Sequence, residues 1–147
     1  MNDDTVLYEQ AADEKTEIAS LTKIMTAIVV LENSQLSDKV VITPSMLSGL
    51  EEFAVVGLSA GQEMTVEELL YALMLPSAGD AGQALAIHIG GTIEKFADMM
   101  NQKANSLGLS NTHFTNPVGF DEGNYSTARD VATMLKYALK NPDFLKF

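Results

Sequence analysis

The chain opens with a β-prone, alternating stretch, "TVLYEQ" (Thr5 to Gln10), which predicts a short strand. The pattern then changes. Between Ser20 and Glu32 the apolar positions Leu21, Ile24, Met25, Ile28, Val29 and Leu31 are too continuous for a helix with one wet face, so they predict a buried one. "DKVVIT" predicts a second short strand, closed by Pro44. From Pro44 to Gln62 there is little period and repeated glycine, which predicts loop with weak local structure.

The second half reads as helices with clear ends. Thr65 followed by Glu68 in "TVEELLYALMLP" is a capping box, and Pro76 stops the helix. "GDAGQALAIHIGG" predicts a small-residue helix closed by Gly90 and Gly91. In "TIEKFADMMNQKANSLG", Ile93, Phe96, Ala97, Met100, Ala104 and Leu107 fall at amphipathic spacing, and Gly108 supplies the stop. "FTNPVGFDEGNYS" is turn-rich loop, within which Asn116-Pro117 and Gly119 are read as shaping residues. Arg129 with Asp130 is expected to anchor that loop through charge-assisted hydrogen bonds. Thr127 with Asp130 looks like a further box for "TARDVATMLKYALK", which ends near Asn141-Pro142. Five helices and two short strands make a helix-rich α+β chain, taken as one domain over residues 1–147. Two short strands leave open edges, so a pairing partner is expected, for instance a second copy in a homodimer.

Composition narrows the function. A chain of 147 residues that is 46% hydrophobic can bury one core. The net charge is −11 with nine scattered Lys and Arg, so no nucleic-acid partner is expected. The same field repels a small anion unless a local cation receives it. Cysteine is absent, which excludes disulfides, thiolate metal sites and a Cys nucleophile. There is no apolar run of eighteen residues, and the acidic "NDDTVLYEQ" after Met1 is no signal peptide, as expected if the chain starts downstream of one. His88 lies on an apolar helix and His113 before a loop; without HExxH, no metal or other cofactor is expected. The methionines suit core positions.

The candidate chemistry lies in "EIASLTKIMTAIVVLEN". Ser20 and Lys23 are three residues apart, about one helical turn, and share a face. Ser20 falls at the helix start, where free N–H groups and the dipole favour a developing oxyanion. Lys23 sits among Ile24, Met25 and Ala27, where desolvation disfavours the ammonium form and suits it to general-base work. The bland alternative is that Ser20 is an N-cap and Lys23 a snorkelling side chain.

The surroundings, "IASLTKIMTA", resemble the nucleophile motif of the serine D-Ala-D-Ala carboxypeptidases, the low-molecular-mass penicillin-binding proteins. The resemblance continues in order through "TVEELLYALMLPSAGDAGQALA", "FADMMNQKANSLGLSNTHFTNPVGF" and "YSTARDVATML". It implies that Ser20 is the acylated nucleophile, Lys23 its base, and Ser77 in "LPSAGDA" a proton relay towards the leaving amine. Ser77 is also expected as the N-cap of the next helix after Pro76, a role compatible with the first. In the family the third position of that motif is commonly Asn, which helps hold substrate; here it is Gly79, which has no amide to offer.

Lys-Thr-Gly, the family's third motif, is absent from residues 1–147, and the resemblance places it beyond Phe147. The chain is thus expected to be the helical part of a transpeptidase-like fold, with most of the sheet absent. The expected activity is removal of the terminal D-Ala from peptidoglycan stem peptides outside the cytoplasm, with β-lactams as trapping mimics. Lacking one oxyanion donor and the cation for the substrate carboxylate, the isolated chain is expected to be inactive or nearly so. Two rivals stand beside this reading: a related β-lactamase, disfavoured because no Glu-x-x-x-Asn segment follows Ser77, and a non-catalytic domain binding cell-wall peptide or protein.

Overall fold

The computed structural model describes residues 5–51 and 53–147. In chain order the elements are β1 (Thr16–Glu17), α1 (Thr22–Asn33), β2 (Lys39–Val41), β3 (Glu63–Thr65), α2 (Val66–Met74), α3 (Gly79–Gly90), α4 (Ile93–Ser106), β4 (Tyr125–Ser126) and α5 (Ala128–Ala138). Short 3-10 turns cover Ala19–Leu21, Pro44–Leu47 and Phe144–Lys146.

The buried helix is where the apolar run put it. Every residue of α1 from Thr22 to Val30 is buried, including Lys23 and the hydroxyls of Thr22 and Thr26. Helices α2, α3, α4 and α5 pack around it. Small residues on α3 make the approach close: a methyl on Gly82 would fall 2.6 Å from the Val118 side chain. Phe96, Met100 and Ala104 of α4 and Met134 and Ala138 of α5 complete the core. Among the described residues, no helix is long and apolar enough to cross a membrane.

The helix ends follow their sequence signals. Thr65 Oγ1 accepts the Glu68 N–H while the Glu68 carboxylate accepts the Thr65 N–H, closing the box on α2. Gly91 ends α3 with φ +79°, a value that favours glycine. At α5 only half the expected box forms. Thr127 accepts the Asp130 N–H, but the Asp130 carboxylate accepts from the Asn111 N–H and the Thr112 hydroxyl instead.

The strands differ from expectation. Thr5 to Gln10 is exposed and forms no strand. Alternation becomes a strand only where an edge accepts it; here Arg129 holds the segment through Glu9 and, with a two-point fork, Asp13. Arg129 therefore anchors the N-terminal stretch and not the 114–126 loop. "DKVVIT" does contain a strand, but its partner is internal: β2 pairs antiparallel with β3, Val40 opposite Met64. One edge of β2 is thus paired within the chain, while among the described residues no third strand lies on the outer edges of this two-stranded sheet. The other pair, β1 with β4, sets Thr16 opposite Ser126 and Glu17 opposite Tyr125. It fixes the chain just ahead of Ser20.

Candidate active site

Ser20 and Ser77 come from separate elements and meet. Ser20 stands in the 3-10 turn before α1, behind Ala19, whose φ is +44°. Ser77 lies in the turn between α2 and α3 with φ +62°. Non-glycine residues adopt such values at a cost of roughly 1–3 kcal/mol, and only where the surroundings hold them. Here both strained turns aim hydroxyls at one another: the two Oγ atoms are 2.9 Å apart. Ser77 does not cap α3; Ala78 is at the N-cap, with no side-chain cap hydrogen bond.

Lys23 completes the line. Its Nζ donates to Ser20 Oγ at 3.0 Å and to the Val118 carbonyl at 3.1 Å. Both acceptors are uncharged, and burial holds the ammonium pKa below its ordinary 10.5. A lysine with no compensating carboxylate bonded to it loses its proton more easily, and the neutral amine can then accept one from Ser20.

The Val118 carbonyl is held by a loop that local sequence signals did not mark as part of the site. Asn116 Oδ1 accepts the Val118 and Gly119 N–H groups. Thr26 on α1 donates to the Pro117 carbonyl at 2.6 Å. Asn124, fully buried, donates to Thr22 Oγ1 and to the Asn116 carbonyl, and accepts from the Thr115 backbone and side chain. Gly119 (φ +82°) lies so close to the nucleophile turn that a methyl would fall 1.9 Å from the Ala19 carbonyl oxygen. The sequence flagged Asn116, Pro117 and Gly119 as loop-shaping; Thr22, Thr26 and Asn124 carried no local signal.

Gly79 opens α3, and its N–H donates to the Ala54 carbonyl at 2.7 Å. The space a side chain would take there is filled, since a methyl would come 2.7 Å from the Phe53 Cβ. Asp80, buried, accepts from the Val56, Gly57 and Leu58 N–H groups and pins that loop to the start of α3. His88 and His113 are both exposed and away from this cluster. Among the described residues, no three His, Asp or Glu side chains form a group that could hold a metal ion.

A central helix preceded by a serine in a 3-10 turn, with a lysine one turn on and a second, strained serine just ahead of a neighbouring helix, defines the class of serine DD-peptidases and transpeptidases in fold. The chain superposes on the Streptomyces K15 DD-transpeptidase with a TM-score of 0.88 at 40% identity, covering 93% of this chain and 56% of that one. With a D-alanyl-D-alanine carboxypeptidase from Mycobacterium tuberculosis the TM-score is 0.85 at 32% identity, over 90% and 50%. Residues 1–147 match the D-alanyl-D-alanine carboxypeptidase family, peptidase S11, and the chain belongs to it. D-alanyl-D-alanine carboxypeptidase DacF of Bacillus subtilis is 41% identical over 97% of this chain, which spans 38% of that relative. The Streptomyces K15 carboxypeptidase is 39% identical over 95%, and the chain spans 52% of it.

Proposed function

We propose that this chain carries the nucleophile half of a serine D-Ala-D-Ala carboxypeptidase acting on peptidoglycan stem peptides. The observation that carries the reading is the hydrogen-bonded line Lys23 Nζ, Ser20 Oγ, Ser77 Oγ, with steps of 3.0 and 2.9 Å. Neutral Lys23 takes the Ser20 proton as Ser20 Oγ bonds to the carbonyl carbon of the penultimate D-Ala. Ser77 relays a proton to the leaving nitrogen, the peptide bond breaks, and D-Ala departs. Water then attacks the acyl-enzyme and regenerates the Ser20 hydroxyl. A β-lactam enters the same first step, but its leaving nitrogen stays tethered, so it traps Ser20.

Such a substrate puts the protein outside the cytoplasm, secreted or membrane-attached, and residues 1–147 are read as one partial transpeptidase-like domain. No Lys-Thr-Gly occurs among them, so the second oxyanion donor and the carboxylate-binding cation need another strand. Without one donor the rate falls by about 10²–10³. Gly79, with Phe53 in its side-chain space, favours a second reading: a domain that binds cell-wall peptide without cleaving it.

The two separate in one assay. With a synthetic stem peptide ending in D-Ala-D-Ala, slow D-Ala release that Ser20→Ala abolishes is the expected result. Peptide binding with no release, equal in the chain and in Ser20→Ala, would establish the non-catalytic reading. Rapid turnover of a β-lactam would point to the β-lactamase rival.

A further inference from the structure

The site has an apolar wall that the reaction does not use. Phe53 lies over Gly79, two residues from Ser77. Phe120 follows Gly119, which abuts the Ala19 carbonyl next to Ser20. The two rings, one packed against Gly79 and the other following Gly119, meet with centroids 4.7 Å apart and tilted by 45°. Neither side is loose: Asp80 pins the Phe53 side through three backbone N–H groups, and Asn116 fixes the turn that carries Phe120. Yet Phe120 remains 51% exposed.

We propose that the Phe53–Phe120 pair is the specificity-determining contact of this site, receiving the apolar end of the acyl group whose carbonyl Ser20 attacks. The inference rests on the reading of Ser20 above and names the substrate class. Glycine at position 79 removes the donor and acceptor that an amide would offer a polar acyl chain. Two ring faces offer area and edge-to-face contact instead. The ligands favoured are therefore D-Ala-D-Ala peptides with an aromatic or extended apolar acyl group, over those with a short one.

The test uses the full chain carrying Ser20→Ala, so that ligands bind without reacting. Affinities for N-phenylacetyl-D-Ala-D-Ala and N-acetyl-D-Ala-D-Ala are measured by saturation-transfer NMR titration. The phenylacetyl probe should bind tighter by about threefold to tenfold, the worth of one aromatic pair, and adding Phe120→Ala should remove the difference. Because Phe120 is half exposed, an unchanged melting temperature will show that the fold is intact. Equal affinities in the parent, a preference that survives Phe120→Ala, or no binding of either probe would overturn the inference. Failure of the Ser20 reading shows elsewhere, as the lack of any covalent adduct in the unsubstituted chain, and leaves these affinities as they are.

Discussion

At the level of single residues, the reactivity of Ser20 turns on the proton of Lys23. Burial lowers its pKa, so the amine becomes available at a lower pH than a surface lysine would allow. Acylation of Ser20 should rise with pH through that lowered pKa. Lys23→Arg, which keeps a charge that is not lost, should cost about 10²–10⁴ in acylation rate at every pH tested. The same shift has a stability consequence of definite sign. Between the lowered folded value and the unfolded 10.5 the unfolded chain binds the extra proton, so stability must increase with pH across that window. Lys23→Met should flatten that slope in urea titrations. Gly79 gives a second test. Gly79→Asn alone meets the Phe53 Cβ and should destabilise by about 1–3 kcal/mol; combined with Phe53→Gly, which removes that Cβ and the ring, it should recover much of the loss. The pair Ser20 and Lys23 was legible because a spacing of three is local information. Ser77 was legible only through resemblance, and the Val118 carbonyl not at all, because a backbone atom has no residue-type signature.

At the scale of elements, the 114–126 loop does more than connect α4 to α5. The Asn124 side chain alone ties it to α1 through Thr22 and to itself at Thr115 and Asn116. Asn124→Ala would leave several buried groups unpaired, so a loss of about 2–4 kcal/mol in denaturant stability is expected, with slower acylation as Val118 shifts. Gly119→Ala should do more harm to acylation, since its methyl collides with the nucleophile turn itself. Helices were readable here because their starts and stops are written in neighbouring residues, as Thr65 with Glu68 and Gly91 show. Strands were not. β3 and β4 are two or three residues long and exist only because β2 and β1 lie beside them, a relation of distant segments that no window of sequence contains. Arg129 misled for the same reason: its partners Glu9 and Asp13 are over a hundred positions away.

At the scale of the whole molecule, charge and completeness set what the site can do. A net charge of −11 opposes any anion, and both a peptide ending in carboxylate and a penicillin are anions. Acylation by a penicillin should therefore quicken as ionic strength rises from about 0.01 M to about 0.15 M, where screening shortens from about 30 to about 8 Å. The Lys23–Ser20–Ser77 line is braced by β1 with β4 and by the 114–126 loop. The most direct measurement is intact-mass spectrometry after incubation with excess benzylpenicillin, with Ser20→Ala as control and circular dichroism to confirm folding. A single persistent adduct, mapped to Ser20 and absent from the control, is the predicted result. A folded chain that gains no mass, or one whose adduct survives Ser20→Ala, would contradict the account.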